Sequence, residues 1–178
     1  SGSEQDPIKK DTLAANAYLL AMPGTPCIFL KHWQDCKRDI KAMIEARKTV
    51  GIHNQSAYIN MAASQNYYAV RTTGTEGKML LAVVGNGAAG YTPSASQWTK
   101  VLEGYHYAYY MVNTMNTAWV DLPSGDYQNA QQATLTAVTD DSSAQLVYTT
   151  DGTTPTATST KAANGTQIPI PVGTTTLK

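Results

Sequence analysis

A pair of carboxylates can do general acid–base work only where both converge on the same bond. The thirteen acidic residues of this 178-residue chain are poorly spaced for that task. Asp35 and Asp39 stand one helical turn apart, where capping and compensation of the helix dipole account for both. Glu76 falls in a hairpin turn, and Asp140 and Asp141 are loop neighbours whose side chains do not converge. His32, His53 and His106 lack the paired spacing of a metal site. Cys27 and Cys36 are too few for a disulfide framework or a metal cluster. Cys27 reads as a small core residue in a buried strand. No glycine-rich turn joins a strand to a helix, so nucleotide binding is unsupported. Formal charge is balanced at zero, which leaves no field to steer the protein onto nucleic acid or an anionic membrane. No apolar run approaches the ~20 residues that cross a bilayer.

The aromatic residues are more suggestive. Eleven tyrosines stand against one phenylalanine. Tyrosine and tryptophan combine a flat apolar face with a polar rim, which suits stacking on a sugar and equally suits the half-exposed face of an antiparallel sheet.

The elements that would position these residues change in kind along the chain. In "KKDTLAANAYLLAMPG" Asp11 is placed to cap a helix that is apolar nearly all round and stops at Pro23-Gly24. "DCKRDIKAMIEARKTVG" predicts a second helix, with Asp35 as N-cap and Cys36, Ile40, Met43, Ile44, Arg47 and Val50 on one face. Arg47 and Lys48 complement its C-terminal dipole, and Gly51 is suited to a left-handed cap. Between the two helices, Cys27 to Leu30 reads as a short buried strand with no second parallel strand in the chain to pair with. From about Gln55 the period becomes that of strands. "AYINMAA", "YYAVRT", "KMLLAVVG", "WTKVLEG" and "YHYAYYMV" are separated by short turns, which predicts antiparallel hairpins. After Ala118 the chain is rich in Thr, Ser, Gln and Asp, yet "QATLTAV", "AQLVYTT" and "TQIPIPVGTTTLK" still alternate as strands do.

"AYLLAMPGTPCIFLKHW" followed by "DIKAMIEARKTVGIH" resembles the end of the catalytic barrel of α-amylases of glycoside hydrolase family thirteen, particularly the plant-type members. The opening "SGSEQ" is similar to the stretch that follows an Asn-His-Asp triplet at the seventh barrel strand of that family. On this mapping Cys27 to Leu30 is the eighth barrel strand and its flanking helices are the seventh and eighth. Residues 58–112 are similar to the five-stranded C-terminal domain of those enzymes. The chain from about Trp119, with "YTTDGTTPT", resembles the start of an immunoglobulin-like module. The fold class implied is mainly β with an N-terminal α segment. It comprises the incomplete end of a (β/α)8 barrel (1–54), an antiparallel C-terminal β domain (55–117) and an incomplete immunoglobulin-like module (118–178).

The resemblance implies a retaining hydrolase of α-1,4-glucans such as starch, whose two carboxylates stand roughly 5–5.5 Å apart. The family's nucleophile, acid/base and supporting Asp come from its fourth, fifth and seventh strands. All three would precede Ser1, so no catalytic residue is expected here and the chain alone is expected to be inactive. Active sites of such barrels lie at the C-terminal ends of the strands, which makes His32 and Trp33 candidate substrate-binding residues and Trp33 a candidate stacking platform. Packing of the strand–helix junction is the competing reading for both, and core packing is the expectation for Trp98 and Trp119. No cofactor is expected in this chain; any calcium of the intact parent would lie near a domain inserted early in the barrel. Expected partners are an α-glucan and the rest of the barrel, with an extracellular or cell-envelope location for the parent. The unpaired "CIFL" should drive the two helices onto the C-terminal sheet, or pair with a second copy. The alternative is a non-catalytic starch-binding or structural β module.

Overall fold

The computed structural model describes residues 10–178, so the "SGSEQ" reading lies outside the described residues. These residues cluster into two compact units. One holds the described chain to Thr92 with Leu102–Tyr110, and the other holds Pro93–Val101 with Met111–Lys178. Among the described residues the fold is mainly β, with ten strands in antiparallel sheets and three α-helices near the N-terminus.

The first unit opens with α1, Thr12–Ala21. Its Ala14, Ala17, Leu20 and Ala21 are buried, while Tyr18 and Leu19 are partly exposed. Asp11 stands at the N-cap position without capping through its side chain. Its carboxylate instead meets His106 Nδ1 at 2.5 Å. The helix ends before Pro23 and Gly24, where Gly24 takes a φ of 114° that an L side chain resists.

In this structure the segment read as a barrel strand pairs with no other strand among the described residues. Residues 25–29 belong to no sheet, and Leu30 already begins a short helix, α2, Leu30–Asp35. Cys27, Phe29 and Leu30 are exposed rather than buried. Among the described residues no strand stands beside it to accept its backbone hydrogen bonds, so ladder geometry brings this stretch no stabilisation. That change also relocates Asp35. It closes α2, paired with Lys31 at 2.7 Å, and does not cap the next helix, so Asp35 and Asp39 lie on separate helices.

Helix α3, Lys37–Val50, buries Ile40, Met43, Ala46, Arg47 and Val50 along one face and ends at Gly51 with φ 75°, as its periodicity predicts. Burying each of the larger apolar side chains contributes about 1.5–3 kcal/mol. Both α1 and α3 lie against a five-stranded sheet rather than beside a barrel. Its strands are β1 (Tyr58–Ala63), β2 (Tyr68–Thr73), β3 (Met79–Val84), β4 (Trp98–Gly104) and β5 (Tyr107–Val112), in the order β1-β2-β3-β5-β4. The register sets Val70 opposite Ala82 and Thr72 opposite Leu80, so these residues share one face. Tyr68 belongs to the same face and meets the Tyr18 ring of α1 at 6.0 Å. The Tyr109 hydroxyl donates to the Ala17 carbonyl from β5. The helices therefore cover this face of the sheet. Leu80 to Val83 are fully buried, which explains why "KMLLAVVG" reads as a continuous apolar run instead of alternating.

The second unit contains β6 (Thr117–Val120), β7 (Gln131–Val138) and β10 (Gln167–Ile170), which form a three-stranded sheet in the order β10-β7-β6. The hairpin of β8 (Leu146–Tyr148) and β9 (Thr160–Ala162) is separate. Pro169 donates no ladder hydrogen bond and sits in β10, at the edge, where that loss is tolerated. Trp119, Ala133, Leu135, Val138 and Ile168 make the core. Trp119 Nε1 donates to the Val101 carbonyl at 3.0 Å.

Candidate functional site

His32 and Trp33 stand side by side on α2, both half-buried. Asn16, buried within α1, donates from its side-chain amide to the Thr12 carbonyl at 2.7 Å and lies 3.2 Å from His32 Nδ1. The amide nitrogen is donor only, so this contact makes Nδ1 the acceptor and leaves the proton on Nε2. The Phe29 ring meets His32 edge-on at 5.3 Å. Trp33 carries the Lys37 ammonium 5.8 Å above its ring, within reach of a cation–π contact. His32 is thus contacted from two sides, and the Lys37 ammonium lies over one face of Trp33.

Trp98 and Trp119 are both buried, so neither ring offers a stacking surface. Cys27 and Cys36 are free thiols. Burial raises the Cys36 pKa, with the Asp39 and Asp35 carboxylates adding to the effect. Among the described residues no three His, Cys, Asp or Glu side chains gather as a metal site. The acids are dispersed and mostly partnered. Glu76 pairs with Lys78 at 3.0 Å, Asp121 accepts from the Thr134 amide at 2.7 Å, and Asp141 and Asp151 each accept from the hydroxyl two residues on. Those hydroxyl bonds to Ser143 and Thr153 lower the Asp141 and Asp151 pKa values.

Two features were not visible in the pattern. The first is Arg47, placed by its spacing on the core face of α3. Its guanidinium reaches across to donate to the carbonyls of Leu20 (2.7 Å), Met22 (2.6 Å) and Gly24 (2.7 Å), closing the end of α1. The signal available was an arginine on an otherwise apolar stripe, which demands buried acceptors. The second is a groove of about 480 Å³ in the second unit, between the loop after β6 and the chain after β10. Its only sequence signature is the cluster of hydroxyl and amide residues around Tyr127 and Thr174–Thr176.

Residues 122–178 match the chitobiase/β-hexosaminidase C-terminal domain. The chain is also similar to probable α-amylase 2 of Arabidopsis thaliana, 31% identical over 96 residues that make up 52% of this chain and 22% of the relative. Similarity to the α-amylase type B isozyme of Hordeum vulgare is 37% over 60 residues, 33% of this chain and 39% of the relative. The chain therefore spans well under half the length of these curated relatives. Among the described residues no helix is long and apolar enough to cross a membrane. With its β-rich fold, its match over residues 122–178 and its two plant relatives, the chain is similar to the C-terminal part of an α-amylase.

Proposed function

We propose that this chain is the non-catalytic C-terminal part of a retaining hydrolase of α-1,4-glucans such as starch. The observation that carries the reading is the similarity to two plant α-amylases at 31% and 37% identity. In such a parent, two carboxylates supplied upstream of Ser1 cleave the glycosidic bond, one as nucleophile and one as acid/base. This chain contributes the support. Helices α1 and α3 rest on the five-stranded sheet, and Arg47 fixes the end of α1. His32 and Trp33 line the glucan cleft, with Trp33 stacking on a sugar ring once Lys37 swings away. The parent acts outside the cytoplasm or at the cell envelope, where starch is met as a polymer, and any calcium it holds is bound upstream of this chain.

The test compares this chain with the same polypeptide extended upstream through a complete barrel. The extended form should release reducing ends from starch and this chain should release none. Starch hydrolysis by this chain alone would overturn the assignment of the catalytic carboxylates to upstream sequence. Inactivity of the extended form would overturn the α-glucan reading.

A further inference from the structure

We propose that the groove of the second unit binds a neutral saccharide, an assignment that does not depend on the parent being an amylase. At about 480 Å³ it falls within the ~300–1,000 Å³ typical of small-ligand sites. Leu122 and Ile170 supply apolar lining, and Tyr127, Asp126, Asn129 and Thr175 stand along the same groove. The Tyr127 hydroxyl donates to the Pro123 carbonyl at 2.5 Å, which fixes the half-buried ring before any ligand arrives. Fixing a contact residue in advance lowers the entropy cost of binding.

The charge pattern narrows the ligand. No Lys, Arg or His lines the groove, and its single ionisable acid is Asp126. A phosphate, sulfate or carboxylate would meet a carboxylate and no cation, so anionic ligands are disfavoured. An all-apolar ligand would strand the amides and hydroxyls that edge the groove. A pyranose satisfies both demands. Its C–H face packs on the Tyr127 ring and the apolar lining, while its hydroxyls donate to Asp126 and exchange hydrogen bonds with Asn129 and Thr175. Asp126 and Asn129 are exposed, so their side chains are accessible from solvent.

The experiment is a titration of the full 178-residue chain with maltoheptaose, with chitohexaose and with a sulfated oligosaccharide, followed by amide chemical shifts and calorimetry. We expect saturable binding of a neutral probe, shift changes confined to residues 120–133 and 170–177, and no binding of the sulfated probe. The double variant Asp126→Ala/Asn129→Ala replaces exposed side chains, and its circular dichroism should match the parent chain. It should weaken binding at least tenfold. Saturation by maltoheptaose identifies an α-glucan as the source, and saturation by chitohexaose identifies an N-acetylglucosamine polymer; either upholds the groove, and the second counts separately against an α-glucan parent. Failure of both neutral probes at millimolar concentration would overturn the proposal. So would shift changes elsewhere, preference for the sulfated probe, or a double variant that binds like the parent chain.

Discussion

Arg47→Met should cost about 4 kcal/mol of stability in the first unit. The substitution keeps most of the apolar stem and removes the guanidinium that donates to three carbonyls around the end of α1. The bond to Leu20 is buried, and those to Met22 and Gly24 are part-buried. A hydrogen bond from a charged donor contributes ~1.5–3 kcal/mol net, and an acceptor left dry costs a similar amount. Water can reach the Met22 and Gly24 carbonyls in the variant, so they count for about 1 kcal/mol each and Leu20 for about 2. Arg47→Lys keeps the charge but replaces a planar fork by a single ammonium that satisfies fewer acceptors, and should lose about half as much. Urea unfolding followed by circular dichroism at 222 nm reads this unit selectively, because α1, α2 and α3 all fall between Thr12 and Val50. A Met variant within ~1 kcal/mol of the parent would mean that the three carbonyls find other donors, and the clamp reading would fail. Equal losses in Lys and Met would assign the effect to fork geometry alone.

Burial is the main cause of the raised pKa of both Tyr107 and Tyr109, with Tyr109 fully buried. Their folded pKa values exceed the unfolded value near 10, so stability should be flat below about pH 10 and fall above it, where the unfolded chain releases protons first. Absorbance at 295 nm and helical dichroism should then change together. Ionisation of all eleven tyrosines while the helices persist would refute the claim, because Tyr107 and Tyr109 should ionise only as the fold is lost. Trp119→Phe should cost the second unit about 1–2 kcal/mol through the lost bond to the Val101 carbonyl, read by near-ultraviolet dichroism; an unchanged midpoint would count against it. Gly74→Ala would bring a Cβ to 1.9 Å from the Val50 carbonyl oxygen, whereas Gly90→Ala meets nothing within 4 Å. The first should lower the melting midpoint by an amount equivalent to at least ~2 kcal/mol and the second should leave it nearly unchanged. Equal midpoints would refute the close approach at Gly74.

Much of this fold was legible because it is made of local signals. The apolar stripe of α3, the αL cap at Gly51 and all five strands between Tyr58 and Val112 follow from period and turn chemistry. The failures share a cause in long-range pairing. "CIFL" has the composition of a buried strand, but a strand exists only if another strand accepts it, and here residues 25–29 run unpaired into α2. Asp35 has the chemistry of an N-cap and lost that role when α2 formed ahead of it. Asp11 was placed correctly at a helix start, yet its carboxylate serves His106, 95 residues away in sequence. β6 and β9, of four and three residues, lie in no alternating run of greater length, whereas the equally short β8 sits within "AQLVYTT". Of the candidate site, the sequence offered the neighbours His32 and Trp33, while the packing against Asn16 and Lys37 required the folded corner. The groove near Tyr127 joins segments about fifty residues apart, and no spacing rule reports such a meeting.

The most direct test of the α-amylase reading is a starch zymogram of the source cells and their medium, probed on the same gel with an antibody to this chain. The account predicts a clearing band several times heavier than 19.1 kDa that carries the epitope. An epitope found only near 19 kDa, with no starch clearing where it migrates, would contradict it.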